Sequence, residues 1–442
     1  MIFQESIYAL SSGRLPAGVA VVRLSGPHTK AAVTALTGSL PTPRVARFGP
    51  IKSANGELLD HGLTTFFPGP ASFTGEDSGE LHLHGGRAVV AAVLETVGQI
   101  EGFRHAEPGE FSRRAFLNGK IDLTGAEALA DLVASETEAQ RRFALLNASG
   151  AQAELYGQWR RRIIHARAMI EAELDFSDQE DVPGSVSDEV WRDIGELISE
   201  VDQHLASFRR AEIIRDGYKV VIIGAPNAGK SSLLNALAGR DVAIVTDEPG
   251  TTRDLVEVTL DLHGVKVTVV DTAGIREGAG NVEAIGIARA LSSAESADLV
   301  LRLQDLAQAM SAPALEKKPA DEIWVGTKSD LLGSGRIELK DFDFRISART
   351  GEGLTDLLEQ IGTRAGAAVG DLGDVLPSRL RHVELLRRCR SELGRAVTHP
   401  SAALEMSAED LRKASDSLGR IVGAVDVEDL LDTIFSSFCI GK

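Results

Sequence analysis

A chain of 442 residues with 43% hydrophobic and 25% charged residues is too long for one ordinary domain and too apolar to be disordered, so two or three globular domains are expected. The formal net charge of −17 argues against broad, non-specific nucleic-acid binding, which needs a strong positive field. Only two cysteines, Cys389 and Cys439, argue against a disulfide framework, and neither a signal peptide nor a membrane-length apolar run is apparent, so a cytoplasmic location is expected.

The first part, residues 1–118, reads as a mixed α+β domain. Gly18–Gly26, Leu63–Phe67 and Glu80–His84 have the alternation and bounding turns of strands, with a short helix over Ala88–Val97. Alternation sets Glu80, His82 and His84 on one face of their strand and Leu81 and Leu83 on the other. That face could ligate a metal, turn to solvent, or line a pocket for a polar small molecule held by Glu80 and Arg23; the residue pattern favours the pocket and does not name its occupant. Arg104, Arg113, Arg114, Lys120, Arg141 and Arg142 could form a local basic patch, or an ordinary solvated face.

From Gly125 the strand signals stop. Residues 119–215 carry apolar side chains at three- and four-residue spacing, with Thr124 and Glu127 in capping-box register and a break at Pro183-Gly184. The helical pattern resumes over 369–442, in Arg379–Val397, Asp410–Val422 and Val427–Phe438. Two helical stretches around an α/β block suggest that the block, residues 216–368, is inserted into one all-α domain.

Within that block a buried strand runs into Gly224-Ala225-Pro226-Asn227-Ala228-Gly229-Lys230-Ser231-Ser232, and a helix follows. G-x-x-x-x-G-K-S in this context is a phosphate-binding loop: backbone N–H groups converge on phosphate oxygens, Lys230 reaches the β- and γ-phosphates, and the Ser231 hydroxyl can bind Mg²⁺. Alternating strands at Val256–Leu262 and Val265–Val270 follow, then strands at Leu299–Leu303, Ile323–Gly326 and Phe344–Ser347, giving a doubly wound sheet with ligand loops at strand ends. Asp271 can hold the Mg²⁺ shell, Gly274 can sense the γ-phosphate, and Thr251 and Thr252 can close over it. Asp330 in Thr327-Lys328-Ser329-Asp330 can accept the paired donors that guanine has and adenine lacks, with Ser347-Ala348-Arg349 completing the base pocket. The four motifs in order specify GTP.

Two departures from the common pattern carry information. Thr327 stands where Asn is usual, which predicts a weaker brace on the loop. Ile275 stands where Ras-like enzymes place a water-orienting glutamine, so hydrolysis must recruit another group; Glu283 is the nearest carboxylate with room, or else an ordinary solvated helix residue. The amide of Asn227 could seat a monovalent cation beside the phosphates in place of an arginine finger.

Taken together with Phe73-Thr74-Gly75-Glu76-Asp77, His84-Gly85-Gly86, Pro108-Gly109-Glu110-Phe111-Ser112, Asn118-Gly119-Lys120 and the terminal Phe438-Cys439-Ile440-Gly441-Lys442, these motifs make the chain resemble the MnmE (TrmE) family of tRNA uridine-modification GTPases over essentially its whole length. The resemblance implies an α+β N-terminal folate-binding and dimerisation domain, an all-α helical domain, and an inserted α/β Ras-like GTPase domain. It implies a homodimer working with tRNA and an MnmG-type FAD protein to place (carboxymethyl)aminomethyl groups at C5 of the wobble uridine. The carbon would come from a tetrahydrofolate derivative, in 5,10-methylene or 5-formyl form. Family folate contacts match Arg23, Glu80, Lys120 and Lys442; the potassium site matches Asn227, Thr246, Glu248 and Thr251; Mg²⁺ falls to Ser231 and Thr252; and Glu283 matches the water-orienting residue. Potassium would then support pairing of two GTPase domains.

Cys439 is either a functional thiol, as the resemblance implies, or a structural cysteine at a helix end; Gly441 and Lys442 fit a prenylation box poorly. A different reading of the whole chain, a ribosome- or assembly-associated GTPase switch, leaves the flanking Glu80, Lys120 and terminal Cys-Ile-Gly-Lys unexplained.

Overall fold

The computed structural model describes residues 3–175, 186–244, 257–271, 297–307, 321–332, 342–398, 404–425, 427–436 and 438–441. The chain forms two compact units: Met1–Ala130 with Asn147–Ile198 and Leu385–Lys442, and Asp131–Leu146 with Ser199–Glu384. No helix among the described residues is long and apolar enough to cross a membrane.

The first unit contains a six-stranded sheet in the order β3-β4-β5-β2-β1-β6, formed by β1 (Ser6–Leu10), β2 (Ala17–Ser25), β3 (Arg47–Lys52), β4 (Leu58–Phe67), β5 (Ser78–Gly85) and β6 (Phe103–His105). Only β1 and β6 run parallel; the other neighbours are antiparallel. Leu81 and Leu83 of β5 join Val22 and Leu24 of β2 in a core covered by helices Thr29–Thr37 and Arg87–Gly98. Each such aliphatic side chain, fully removed from water, contributes about 1.5–3 kcal/mol, which is why the alternation of β5 fixes which face it turns inward. Three strands escape sequence patterning for separate reasons. β1 is buried almost throughout and shows no alternation, β3 carries Gly49 and Pro50 at a sheet edge, and β6 has three residues.

In the helical part of this unit, Ala151–Asp175 packs along Leu404–Val422. Tyr156, Ile163 and Ile170 lie buried at seven-residue spacing, as do Leu411 and Leu418. Helix Glu428–Ser436 meets helix Glu110–Leu117 through Phe435 and Phe116, whose ring centroids are 6.5 Å apart. The expected cap at Thr124 is corrected. The helix spans Leu123–Ala134, and it is the Asp122 carboxylate that accepts the Gly125 N–H, at 2.8 Å. An ionised acceptor at the helix N-terminus outcompetes a hydroxyl two residues further in, and Thr124 donates to Asp122 instead.

The second unit is built on a six-stranded sheet ordered β12-β11-β10-β7-β9-β8. The strands are β7 (Tyr218–Gly224), β8 (Glu257–Leu262), β9 (Val265–Asp271), β10 (Leu299–Asp305), β11 (Glu322–Thr327) and β12 (Phe344–Arg345). All neighbours are parallel except the β8–β9 hairpin, whose turn is His263-Gly264. β7 is nearly continuous in apolar residues because both its faces are buried: Val220 and Ile222 pack with Leu233, Leu234 and Leu237, and Val221 and Ile223 with Val300. The carboxyl ends of β7, β9, β10 and β11 lie side by side, at the edge where open parallel sheets bind ligands.

Candidate functional site

In the second unit the phosphate loop leaves β7 and turns left-handed at Asn227 (φ 65°) and Gly229 (φ 93°) before helix Lys230–Ala238 begins. Lys230 is buried, and its ammonium donates to Gly224 O at 2.9 Å and Ala225 O at 3.0 Å; burial lowers its pKa, partly countered by Asp271. The Ser231 hydroxyl, in the first turn of that helix, donates to Oδ2 of Asp271, the last residue of β9, at 2.9 Å, so a residue assigned to Mg²⁺ meets the one expected to hold its shell. A hydroxyl and a carboxylate oxygen so close together are a hard-oxygen donor set that fits Mg²⁺. Asn227 and Ser232 are exposed at the loop, and Ala228 is buried beneath it.

In the base-reading loop Thr327 keeps a brace on the phosphate loop: its hydroxyl lies 2.7 Å from Ala228 O and 3.2 Å from Gln304 O. Asp330 is oriented by Ser347, whose hydroxyl donates to Oδ1 at 2.7 Å, and Arg349 approaches Oδ2 at 3.3 Å. Ala348 lies between those two partners in sequence. Lys328 reaches the buried Asp305 at the end of β10, 2.7 Å from Oδ2. Burial alone would raise the Asp305 carboxyl, but Lys328 and the Ala307 N–H together hold it below the usual carboxylate range. Sequence reasoning passed over Asp305; the available signal was an acid closing a strand whose carboxyl end faces the ligand loops.

The first unit assembles a second site. Arg23 and Glu80 face each other in register across β2 and β5, with Arg23 Nη2 3.0 Å from Glu80 Oε1, and His82 lies 3.4 Å from Oε2. His84 turns to Asp60 at 2.8 Å, and no cluster of three metal-ligating side chains occurs among the described residues. The Arg23 guanidinium lies 5.9 Å from the Phe73 ring centroid and 5.8 Å from that of Phe111. The Phe73–Glu76 turn then carries the site towards Lys120. At Gly75 (φ +80°) a Cβ would stand 3.0 Å from Asn118 Cβ and 3.1 Å from Lys120 Cε, so a side chain there would strain the backbone and press on both neighbours. Asn118 Nδ2 donates to Thr74 O at 2.7 Å. Lys120 also borders an open cleft of about 930 Å³ with Phe116, Gly125 and Val427, which Arg23 and Glu80 do not line.

A buried ion network fixes this turn. Arg114, 1% exposed, donates to Glu76 Oε2 at 3.2 Å, Glu110 Oε1 at 3.0 Å and Glu5 O at 2.9 Å, and lies over the Phe3 ring. Ser25 donates to Glu76 at 2.8 Å and shares a hydrogen bond with Thr74. The open basic patch is corrected accordingly. Arg114 is internal, Arg104 pairs with Glu5 and Glu110, and Arg113 pairs with Asp432. In the other unit Arg141 and Arg142 both pair with Glu138.

The chain's last described residues join the same unit. Gly109 N–H donates to Cys439 O at 3.3 Å, Ile440 bridges Pro108, and Ser11 Oγ donates to Gly441 O at 2.9 Å. A Cβ on Gly441 (φ +95°) would fall 2.4 Å from Leu10 O, so only glycine lets the tail lie this close. Cys439 is exposed beyond the end of helix Glu428–Ser436, whereas Cys389 is buried and its thiol is pushed up to about 12. Thr246, Glu248, Thr251, Thr252, Gly274, Glu283 and Lys442 lie outside the described residues, as do Ile275 and Pro183-Gly184.

A family profile described as the MnmE helical domain matches residues 123–439, and one described as the GTP-binding protein TrmE N-terminus matches 6–120. The tRNA modification GTPase MnmE of Mesorhizobium japonicum is 62% identical over 445 residues, covering 100% of both chains. Its namesake from Brucella anthropi is 55% identical over 441 residues, covering 99% of this chain and 98% of that one. Among solved structures, the G domain of the T. maritima FeoB iron transporter is 27% identical across 34% of this chain and 98% of that one, with a TM-score of 0.25.

Proposed function

We propose a function from one premise: the chain belongs to the MnmE family, the tRNA modification GTPases. It is a GTPase acting in tRNA modification. Our reading is that GTP turnover in the phosphate-loop unit gates the addition of a (carboxymethyl)aminomethyl group at C5 of wobble uridine, in the cytoplasm. The partners would be tRNA, a second copy of this chain and an MnmG-type FAD protein.

The observation that carries the nucleotide half is the convergence of Lys230, Ser231, Asp271, Thr327 and Asp330 on adjacent strand ends. Lys230 offers a poised ammonium to the β- and γ-phosphates, while the Asn227, Ala228, Gly229 and Ser232 backbone surrounds them. Asp330, oriented by Ser347, accepts from the guanine edge, flanked by Ala348 and Arg349. Ser231 with Thr252 would hold Mg²⁺, and Asn227 with Thr246, the Glu248 carbonyl and Thr251 would hold K⁺. Thr251, Thr252 and Gly274 would sense the γ-phosphate, with Glu283 orienting the attacking water. When bound, these ions supply positive charge to the phosphate oxygens and support pairing of two GTPase domains, and a 5,10-methylene or 5-formyl tetrahydrofolate supplies the one-carbon unit.

Within the other unit, we assign Arg23, Glu80, Lys120 and Lys442 to the folate. A carboxylate suits the pterin's donor edge and the cations suit its acidic tail. The Arg23–Glu80 pair and the Phe73–Glu76 turn that leads to Lys120 support this reading. We further assign residues 1–118 to folate binding and dimerisation, 119–215 and 369–442 to the helical domain, and 216–368 to the GTPase domain. Cys439 is proposed as a functional thiol beside the folate.

Mass analysis of wobble uridines in a deletion strain tests the whole. Unmodified uridine is expected in the deletion and with a Lys230→Ala copy, and restoration with the native chain. Full modification in the deletion strain would sink the reading.

A further inference from the structure

We infer that Asp305 is a positioning residue of the nucleotide site: it anchors the Lys328 ammonium so that the lysine's methylene stem presents a fixed apolar wall to one face of the guanine. The inference rests on the base-pocket reading of Thr327–Asp330 and adds to it a residue that touches no nucleotide itself.

Asp305 is the last residue of β10 and lies in register with Thr327, the last residue of β11. The two strand ends are locked together beyond the ladder. Leu306 N–H donates to Thr327 O at 3.2 Å, and Leu306 packs so closely that a Cβ on Gly326 would stand 2.6 Å from its Cδ2. The Asp305 carboxylate is therefore fixed relative to the base-reading loop. It is buried, and the Ala307 N–H takes Oδ1 at 2.9 Å, which aims Oδ2 at Lys328. Lys328 itself has a left-handed backbone (φ 59°), a conformation uncommon for a long side chain and held here by its surroundings.

Roles separate cleanly around the loop. Asp330 accepts a hydrogen bond from Ser347 and forms an ion pair with Arg349, and Lys328 takes part in neither. The Lys328 charge is satisfied by Asp305 alone among the described residues. An exposed lysine pair would hold its partner weakly, whereas a buried, hydrogen-bonded acceptor restricts the stem far more. A pre-ordered stem lowers the cost of closing on a flat aromatic ligand, and its loss is read mainly in dissociation.

The test uses the full chain, a fluorescent GDP analogue in stopped flow, and GTP turnover. Asp305→Asn is isosteric, keeps the Ala307 bond through Oδ1, and replaces the acceptor facing Lys328 with a donor. GDP dissociation should rise roughly five- to tenfold, KM should rise with it, and kcat at saturating GTP should hold. Lys328→Ala should give a loss of similar size, and adding Asp305→Asn to it should change dissociation by less than about twofold. Native dissociation in Asp305→Asn, or two effects that simply multiply, would overturn the inference. If Asp305→Asn melts below the native chain, Asp305→Glu carries the same test, with faster dissociation again expected. Asp330→Asn separates the layers. A shift to xanthosine nucleotides beside a silent Asp305→Asn removes only the Asp305 role. Retained guanine preference in Asp330→Asn removes the base-pocket reading itself.

Discussion

The two units place charge in opposite ways. In the phosphate-loop unit the ligand-facing groups sit on short loops at neighbouring strand ends, and Lys230 spends its hydrogen bonds on the loop's own backbone carbonyls. In the N-terminal sheet unit the charges are internal and paired. Arg114 links Glu76 and Glu110, Arg104 reaches Glu110 from β6, and the turn carrying Phe73 and Gly75 hangs from this network. The first arrangement rests on backbone geometry that local sequence writes directly. The second rests on side chains that only a satisfied buried network keeps in place, so it should be the more fragile of the two.

Three measurements sharpen or break that contrast. The largest effect is expected from Arg114→Met, which leaves Glu76 buried without its guanidinium. Loss of one partner from a buried pair costs about 3–5 kcal/mol. Urea unfolding followed by hydrogen exchange in β1, β2 and β5 should register it, with GTP hydrolysis unchanged; equal loss in β7 and β10 would mean that the units do not fail separately.

A second effect concerns acid. His204 is buried in the phosphate-loop unit near His382, and burial, then the neighbouring imidazole, lower its pKa from 6.5 to about 4. The unfolded chain takes up this proton near pH 6.5 and the folded chain only near 4, so stability is full above pH 6.5 and falls as the pH drops to 4, by about 3 kcal/mol. Glu110 acts in a lower window. Burial would raise its carboxyl, but Arg104, the Glu107 N–H and Arg114 hold it below its ordinary 4.5, so its contribution is intact above that value and lost below it. Unfolding midpoints between pH 7 and 4 should therefore fall first for β7 and β10, and His204→Leu should flatten that slope. A flat profile in the native chain would contradict the assignment.

The smallest effect is Thr327→Val, which deletes one hydroxyl donor and keeps the shape. A lost neutral hydrogen bond is worth about 1 kcal/mol, or roughly fivefold in GTP affinity. Unchanged affinity would show that the strand end alone braces the loop.

By itself the sequence determined the phosphate loop, the order of strands after it, the outward face of Glu80 and His82, and the helical character of the flanks. Those properties follow from local steric and periodic rules that act within a few residues. Tertiary structure decided the rest. It placed β1 and β6 beside each other across about a hundred residues, brought Ser231 to Asp271, gave Thr327 a carbonyl to brace, handed the Leu123–Ala134 cap to Asp122, and turned Arg114 from a surface candidate into the centre of a buried network. Each of these depends on which partner a polar group meets once water is excluded. Spacing along the chain carries no record of that meeting, because the free energy of a buried charge is set by neighbours drawn from anywhere in the fold.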